Sequence, residues 1–347
     1  MPMLRTVLGD VDPAEMGITL PHEHVLCDSS AWFSEPTDPE GALLADAEPT
    51  LENLWWMRQH PNSNRFLLYL DDVDIAVREL DAYARLGGRT VVDLSCVGLG
   101  GQPEQLAVVS RRTGLNLVLG SGFYVDASLS DDIRAASVEQ LAEHIIRDLT
   151  EGVGGTGIRA GVIGEIGMSH PLTPVEERSL RAAARASLET GAAISVHTAA
   201  HAVEMDSALR AADILGEEGA DLSRVIMGHM DTTLHRPDYH RRVLDLGCYV
   251  EFDLFGHELF ESENDFICPG DYAKTKAVSR LVAEGYESQI LLSHDCCFKI
   301  QLRTWGGYGY AHLLQNILPR FVLEGVPESV VLQMMTENPA RVLPLQQ

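Results

Sequence analysis

Residues 20–26 read Leu20-Pro21-His22-Glu23-His24-Val25-Leu26. With Ile18 before them, these residues have the apolar character of a β-strand. Side chains alternate across a strand, so His22 and His24 face one way and Glu23 the other. Two imidazoles on one face of a rigid element make half a chelate. Such a pair also has a plain structural alternative. What decides between the two is whether the rest of the chain brings further ligands into phase with it.

Downstream the chain settles into alternation. Residues 73–86 place Val73, Ala76, Val77, Leu80, Tyr83 and Ala84 at helical spacing, and Gly87-Gly88 stops that helix. Short apolar runs at 90–95, 116–120, 160–166, 193–197, 224–229, 248–254 and 289–295 read as strands. Helical stretches at 102–113, 137–151, 174–190, 201–217, 237–246, 272–285, 308–324 and 327–336 follow them. Strands apolar on both faces indicate a parallel sheet. Eight strand–helix units over this length predict an α/β fold, a (β/α)8 TIM barrel. A doubly wound open sheet is the alternative, and the first strand lacks the GxGxxG turn that would favour it. Residues 4–16, around Gly9-Asp10, predict a small N-terminal hairpin. Residues 29–71, with Pro36, Pro39, Pro49 and Pro61, break the rhythm. They read as an insertion or lid within one barrel domain over 1–347, with a short helix over 50–57. Trp55 and Trp56 serve there as anchors or as a subunit contact.

In such barrels the active site lies at the C-terminal ends of the strands. The ends carry His22 and His24 (first), Glu165 (fourth), His197 (fifth), His229 (sixth) and Asp295 (eighth). Glu165 to His197 and His197 to His229 are each 32 residues, and His229 to Asp295 is 66. One βαβ step takes about 30 residues or more, so these side chains share one height. The 141 residues from His24 to Glu165 exceed three such steps by 45, close to the 43 residues of 29–71. A carboxylate inside the apolar run around Glu165 is costly to bury unpaired. Four His and two carboxylates exceed what one catalytic zinc uses. Two divalent ions fit better, with Glu165 able to bridge them. N/O ligation suits zinc, with manganese, cobalt or iron as alternatives.

The formal net charge is −25, from 51 acidic and 26 basic residues, which disfavours nucleic acid as a partner. Six cysteines without a CxxC do not form a disulfide scaffold. No run of about 18 apolar residues suggests a membrane span, and the N-terminal residues lack a signal-peptide pattern. A cytoplasmic enzyme, homodimeric and acting on a small molecule, is the expectation.

Gly122-Phe123-Tyr124-Val125-Asp126, Gly164-Glu165-Ile166-Gly167, Asp253-Leu254-Phe255-Gly256, His294-Asp295 and Gly306-Gly307-Tyr308-Gly309-Tyr310 join Pro21-His22-Glu23-His24 in a wider pattern. Over nearly its whole length the chain resembles the phosphotriesterase family of the amidohydrolase superfamily, and within it the phosphotriesterase-related branch. The resemblance implies a hydrolase with a binuclear metal centre. His22, His24 and Asp295 would hold the more buried ion and His197 and His229 the more exposed one. Glu165 and a hydroxide would bridge them, where triesterases and lactonases use a carboxylated lysine. That substitution points away from organophosphates. The likeness to the phosphotriesterase-related branch, whose animal members are similar to amidases, implies carboxylic amides such as N-acyl amino sulfonates (N-acetyltaurine) or N-acyl amino acids. Lactone, carboxyl-ester or triester hydrolysis is the alternative, and a catalytically silent binding protein the non-enzymatic one. The family's proton relay through a His beyond strand seven is not evident in Asp253-Leu254-Phe255.

Asp295 is the expected proton carrier. Tyr124, after the third strand, is a candidate oxyanion donor, with core packing as its alternative. Lys299, and less so Arg303, are candidate cations for an anionic substrate, with surface ion pairing as the alternative. His170, His201 and His257 follow strands four, five and seven and are candidates to line the mouth.

Overall fold

The computed structural model describes residues 2–262 and 266–346. Eight parallel strands run round the molecule: β1 (Ile18–Glu23), β2 (Gly88–Asp93), β3 (Asn116–Ser121), β4 (Val162–Gly167), β5 (Ile194–His197), β6 (Val225–Met227), β7 (Tyr249–Phe252) and β8 (Ile290–Leu292). Each pairs with its sequence neighbour. β1 and β8 meet where the Asp295 N–H donates to the His22 carbonyl at 3.2 Å and the His22 N–H to Ser293 Oγ at 3.1 Å. The sheet is thus a nearly closed (β/α)8 barrel, as the alternation predicts.

Helices α1 (Val73–Arg85), α2 (Pro103–Thr113), α3 (Val138–Thr150), α4 (Pro174–Thr190), α5 (Ser207–Glu217), α6 (Pro237–Asp245) and α7 (Asp271–Ala283) connect the strands. Their limits follow local chemistry. Ser137 and Gln140 form a capping box on α3, and Thr173 and Glu176 one on α4. Both boxes satisfy N–H groups that a helix start leaves open. After β8, a π-helical turn (Leu313–Ile317) leads into the helix Leu318–Leu323. The helices Glu328–Met335 and Glu337–Val342 follow, and the last of these was not read from the sequence.

Alternation along the strands builds two cores. Outward residues such as Val91, Leu117, Ile163, Ile194 and Val250 pack under the helices. Val92, Val118, Val162, Ile226 and Leu291 fill the barrel interior. Leu4 and Met16, at the ends of the N-terminal hairpin region (Leu4–Thr6 with Gly9–Val11), join this inner cluster.

The sequence reading needs correction in three places. The helix expected from 201 begins at Ser207, so residues 198–206 form a loop that carries His201. There His201 is drawn to Glu261 at 3.0 Å, and the Asp206 carboxylate meets Arg236. In the insertion the helix expected over 50–57 is confined to Leu54–Met57, and a helix not read from the sequence spans Pro39–Leu44. Finally, β6 and β8 are shorter than their apolar runs, so His229 and Asp295 lie in loops just past the strands. The segment 29–71 is tied at its base by Cys27–Asp28 pairing with Tyr69–Leu70. It is packed by a small core in which Trp56, Met57, Leu67 and Leu68 meet Leu259, Phe298 and Ile300. Trp56 is the anchor here, and Trp55 is exposed.

Candidate metal centre

β4 brings the central carboxylate into place by breaking its own alternation. Val162 faces the interior and Ile163 the helices, so strict alternation would turn Glu165 outward. The pairing of β4 with β5 shifts register between Ile163 and Ile166. Gly164 sits in that irregularity at φ 135°, where a Cβ would come within 2.5 Å of the Ser195 carbonyl oxygen. This extra residue turns Glu165 inward, as bulges do.

Around Glu165 the predicted ligands converge. Glu165 Oε1 lies 3.2 Å from His24 Nε2. Its Oε2 lies 2.9 Å from His197 Nδ1, 3.5 Å from His22 Nε2 and 3.7 Å from His229 Nε2. Asp295 Oδ1 is 3.2 Å from His24 Nε2. All six side chains are buried. His22, Glu165 and His229 form one group whose spacing could hold an ion, and His22, His24 and Asp295 form another.

A further layer of acceptors fixes the rings. His22 Nδ1 lies 3.0 Å from Glu251 Oε2 and 3.1 Å from Asp253 Oδ2. His229 Nδ1 donates to Asp253 Oδ1 at 3.0 Å, and His24 Nδ1 is hydrogen-bonded to Ser95 Oγ at 3.0 Å. Such outer partners fix which ring nitrogen is left for a metal. Glu251 and Asp253 escaped the sequence reading. The signal was present, since Tyr249-Val250-Glu251-Phe252-Asp253 sets two acids into an apolar run, as around Glu165. Glu23, pointing away from the histidines, receives Ser293 Oγ–H, the His294 and Cys296 N–H groups and His294 Nδ1–H. It thereby pins the loop that presents Asp295.

His229 (φ 58°) and Asp295 (φ 49°) are left-handed non-glycine residues. The His229 N–H is held by the Asp253 carboxylate at 2.9 Å, and the Asp295 carbonyl accepts from Gln301 Nε2 at 3.0 Å. These bonds offset a backbone state that costs about 1–3 kcal/mol.

The donor set fits cations. With its Nδ1–H directed at Glu251 and Asp253, His22 has only a lone pair at Nε2. That buried nitrogen has no hydrogen-bond partner and faces a carboxylate oxygen. His229 Nε2, with its Nδ1–H held by Asp253, is left as an acceptor 2.7 Å from His197 Nδ1. The His22 lone pair and the Glu165 oxygen so opposed repel unless positive charge lies between them. Without metal, protons supply it. Burial disfavours charged imidazoles, yet Asp253 holds the pKa of His22 and of His229 well above 6.5. Asp295 and Glu165 in the same way lift His24 to about 10. Burial likewise opposes the Glu165 anion, but His197, with His22 and His229, keeps its pKa well below the usual carboxylate range.

A cleft of about 620 Å³, part of it open to solvent, reaches this cluster. Tyr124, His201 and His257 line it, together with Trp32 and Asn62 from the insertion. Trp32 Nε1–H donates to Tyr124 Oη at 3.2 Å, and the Tyr124 ring stands edge-on to His197. Lys299 is not part of it. Its ammonium pairs with Asp71 at 3.0 Å and lies over the Phe66 ring, because the turn Lys299–Gln301 packs on the base of the insertion. Arg303 bonds the Tyr308 carbonyl and Gln315. His170 lines a neighbouring open groove.

Comparison with known proteins agrees with this geometry. The phosphotriesterase family model matches residues 2–343. The chain belongs to the phosphotriesterase family. That family is one of binuclear metal enzymes, and the chain is a hydrolase. It is 38% identical to an N-acetyltaurine hydrolase of Mus musculus, over 98% of this chain and 97% of the relative. Among solved structures, a resiniferatoxin-binding protein from Rhodobacter sphaeroides superposes with a TM-score of 0.96 at 36% identity, covering 99% of this chain and 95% of the other. A lactonase from Listeria monocytogenes superposes with a TM-score of 0.81 at 28% identity, covering 99% and 100%.

Proposed function

We propose that this protein is a binuclear metal-dependent amidohydrolase that cleaves small carboxylic amides, with Glu165 as the carboxylate shared by two ions, zinc first among the candidates. The observation that carries the proposal is the complete six-residue cluster closed around Glu165 at the base of a cleft. His22, His24 and Asp295 would hold one ion, and His197 and His229 the other. Bound divalent cations polarise a carbonyl and lower the pKa of water toward about 7.

The chain's own residues supply the rest. Asp295, lining the cleft, accepts the proton of the attacking water on its carboxylate and delivers it to the leaving nitrogen. An amine is a poor leaving group without that proton. Tyr124 Oη, fixed by Trp32, donates to the oxygen that gains charge as the carbonyl is attacked. Asp253 and Glu251 keep His22 oriented, and Asp253 keeps His229 oriented. The cysteines support a reducing, cytoplasmic setting, since all six are free and five are buried. Leu43, Leu51 and Trp55 are exposed apolar side chains on the insertion, of the kind a homodimer would cover.

N-acyl amino sulfonates and N-acyl amino acids are the reference substrates, because relatives at 35–38% identity are named N-acetyltaurine hydrolase. Lactone hydrolysis is the second reading, favoured by the lactonase likeness. The test is a hydrolysis panel with zinc-loaded protein: N-acetyltaurine, N-acetyl amino acids, simple N-acetyl amines, lactones, aryl esters and a phosphate triester. Amides are expected to lead, and a main preference for lactones or triesters would overturn the proposal. Metal analysis is expected to give two ions per chain.

A further inference from the structure

The cleft contains no Lys or Arg among its described lining residues. Trp32, Leu99, Leu254, Phe266 and Phe298 make an apolar wall. Asn62, His201, His257 and Glu261 interrupt it. Glu261 accepts from Asn62 Nδ2 at 3.0 Å and faces His201 Nε2 at 3.0 Å. That contact fixes the Asn62 amide, so its Oδ1 is left as an acceptor, buried and without a partner among the described residues.

His257 is only 5% exposed, and neither of its ring nitrogens has a partner among the described residues. Burial lowers its pKa, which favours the neutral ring with one donor and one acceptor. The unsatisfied set on this wall is therefore one N–H and two acceptors, beside a carboxylate. A sulfonate or carboxylate offers acceptors only. It could pair with the single N–H, would leave both acceptors unmet, and would lie near Glu261 with no Lys or Arg among the described lining residues to balance it. A hydroxyl or carboxamide both donates and accepts.

We infer that the substrate of this chain carries an uncharged hydrogen-bonding group, a hydroxyl or carboxamide, held by His257 and Asn62, where a sulfonate or carboxylate would be expected from the names of its relatives. The inference rests on the amide reading above and narrows its substrate class. Leaving polar partners buried and unpaired has a large enough cost to set a preference of about tenfold or more.

Four matched amides test it on the zinc-loaded protein: N-acetylethanolamine, N-acetyltaurine, N-acetylethylenediamine and N-butylacetamide. The hydroxyl amide is expected to exceed the sulfonate in kcat/KM by about tenfold, and to exceed the ammonium, which has only donors and leaves the His257 N–H unmet. His257→Leu and Asn62→Leu should each raise KM for the hydroxyl amide by about tenfold and leave N-butylacetamide within about twofold. His257→Asn, which keeps a donor and an acceptor, should recover part of the loss. A sulfonate or ammonium preference overturns the inference, as does an equal loss on all four amides in the variants. If none of the four is cleaved, the amide reading fails separately. The inference is then judged by calorimetric binding of the same four compounds to the same protein. Tighter binding of the hydroxyl amide supports it. The reverse order, or no binding of that compound, overturns it.

Discussion

Asp253 is the residue on which the cluster most depends beyond its own six members. Its two oxygens serve His22 Nδ1, His229 Nδ1 and the His229 N–H. Asp253→Asn keeps the shape but replaces one acceptor oxygen by a donor, so one of these rings loses its orientation. Metal affinity is expected to fall about 10–100-fold, read by competition with a chromophoric chelator. Asp295→Asn is expected to retain some metal, held by the five remaining residues, and to lose about 10²–10⁴ in kcat, the range of a positioned proton carrier. Near wild-type turnover in that variant would remove Asp295 from the proposed mechanism. The six cluster residues were legible in the sequence because each lies near or just past the C-terminal end of a strand and the spacing repeats. Lys299 shows the limit of that reasoning. Four residues after Asp295 suggests proximity, yet its side chain turns to Asp71 and Phe66.

At the scale of elements, β4 and the insertion decide what the site is. The β4 irregularity depends on Gly164, whose missing Cβ lets the Ser195 carbonyl approach and whose φ of 135° a side chain would strain. Gly164→Ala is expected to destabilise the fold by more than about 1 kcal/mol and to lower bound metal through Glu165. The first is read by denaturant unfolding and the second by elemental analysis. Unchanged metal content would show that Glu165 finds its place without the irregularity. The insertion gives the cleft Trp32 and Asn62. From the sequence it was only a break in the barrel rhythm, because contacts between residue 62 and residue 261 leave no periodic trace.

For the whole molecule, acidity acts on stability through groups buried neutral as well as through the metal site. His240 is fully buried, makes no ion pair among the described residues, and lies against Phe252 and Thr233. Burial, helped by the nearby Arg280, lowers its pKa from 6.5 to about 4. Between these values the unfolded chain binds a proton that the folded chain refuses, so stability rises with pH across that window. It is fully present above about 6.5 and lost as pH falls toward about 4, an effect of about 3 kcal/mol. The unfolding free energies of wild type and His240→Leu should therefore converge by about that amount between pH 7 and pH 4. A constant difference would show that His240 does not carry the effect.

The sequence by itself determined the barrel, its eight strands and the six residues near or just past their C-terminal ends, because burial on both strand faces and a repeat of 32 residues are one-dimensional signals. It also carried Glu165 as the carboxylate of the site, through its isolation in an apolar run. Only the tertiary structure decided how that carboxylate turns inward past Gly164, and which acids hold the histidine rings. It alone showed that no Lys or Arg lines the described cleft. These depend on side chains far apart in the chain meeting at distances near 3 Å, and no local pattern of residues encodes such meetings.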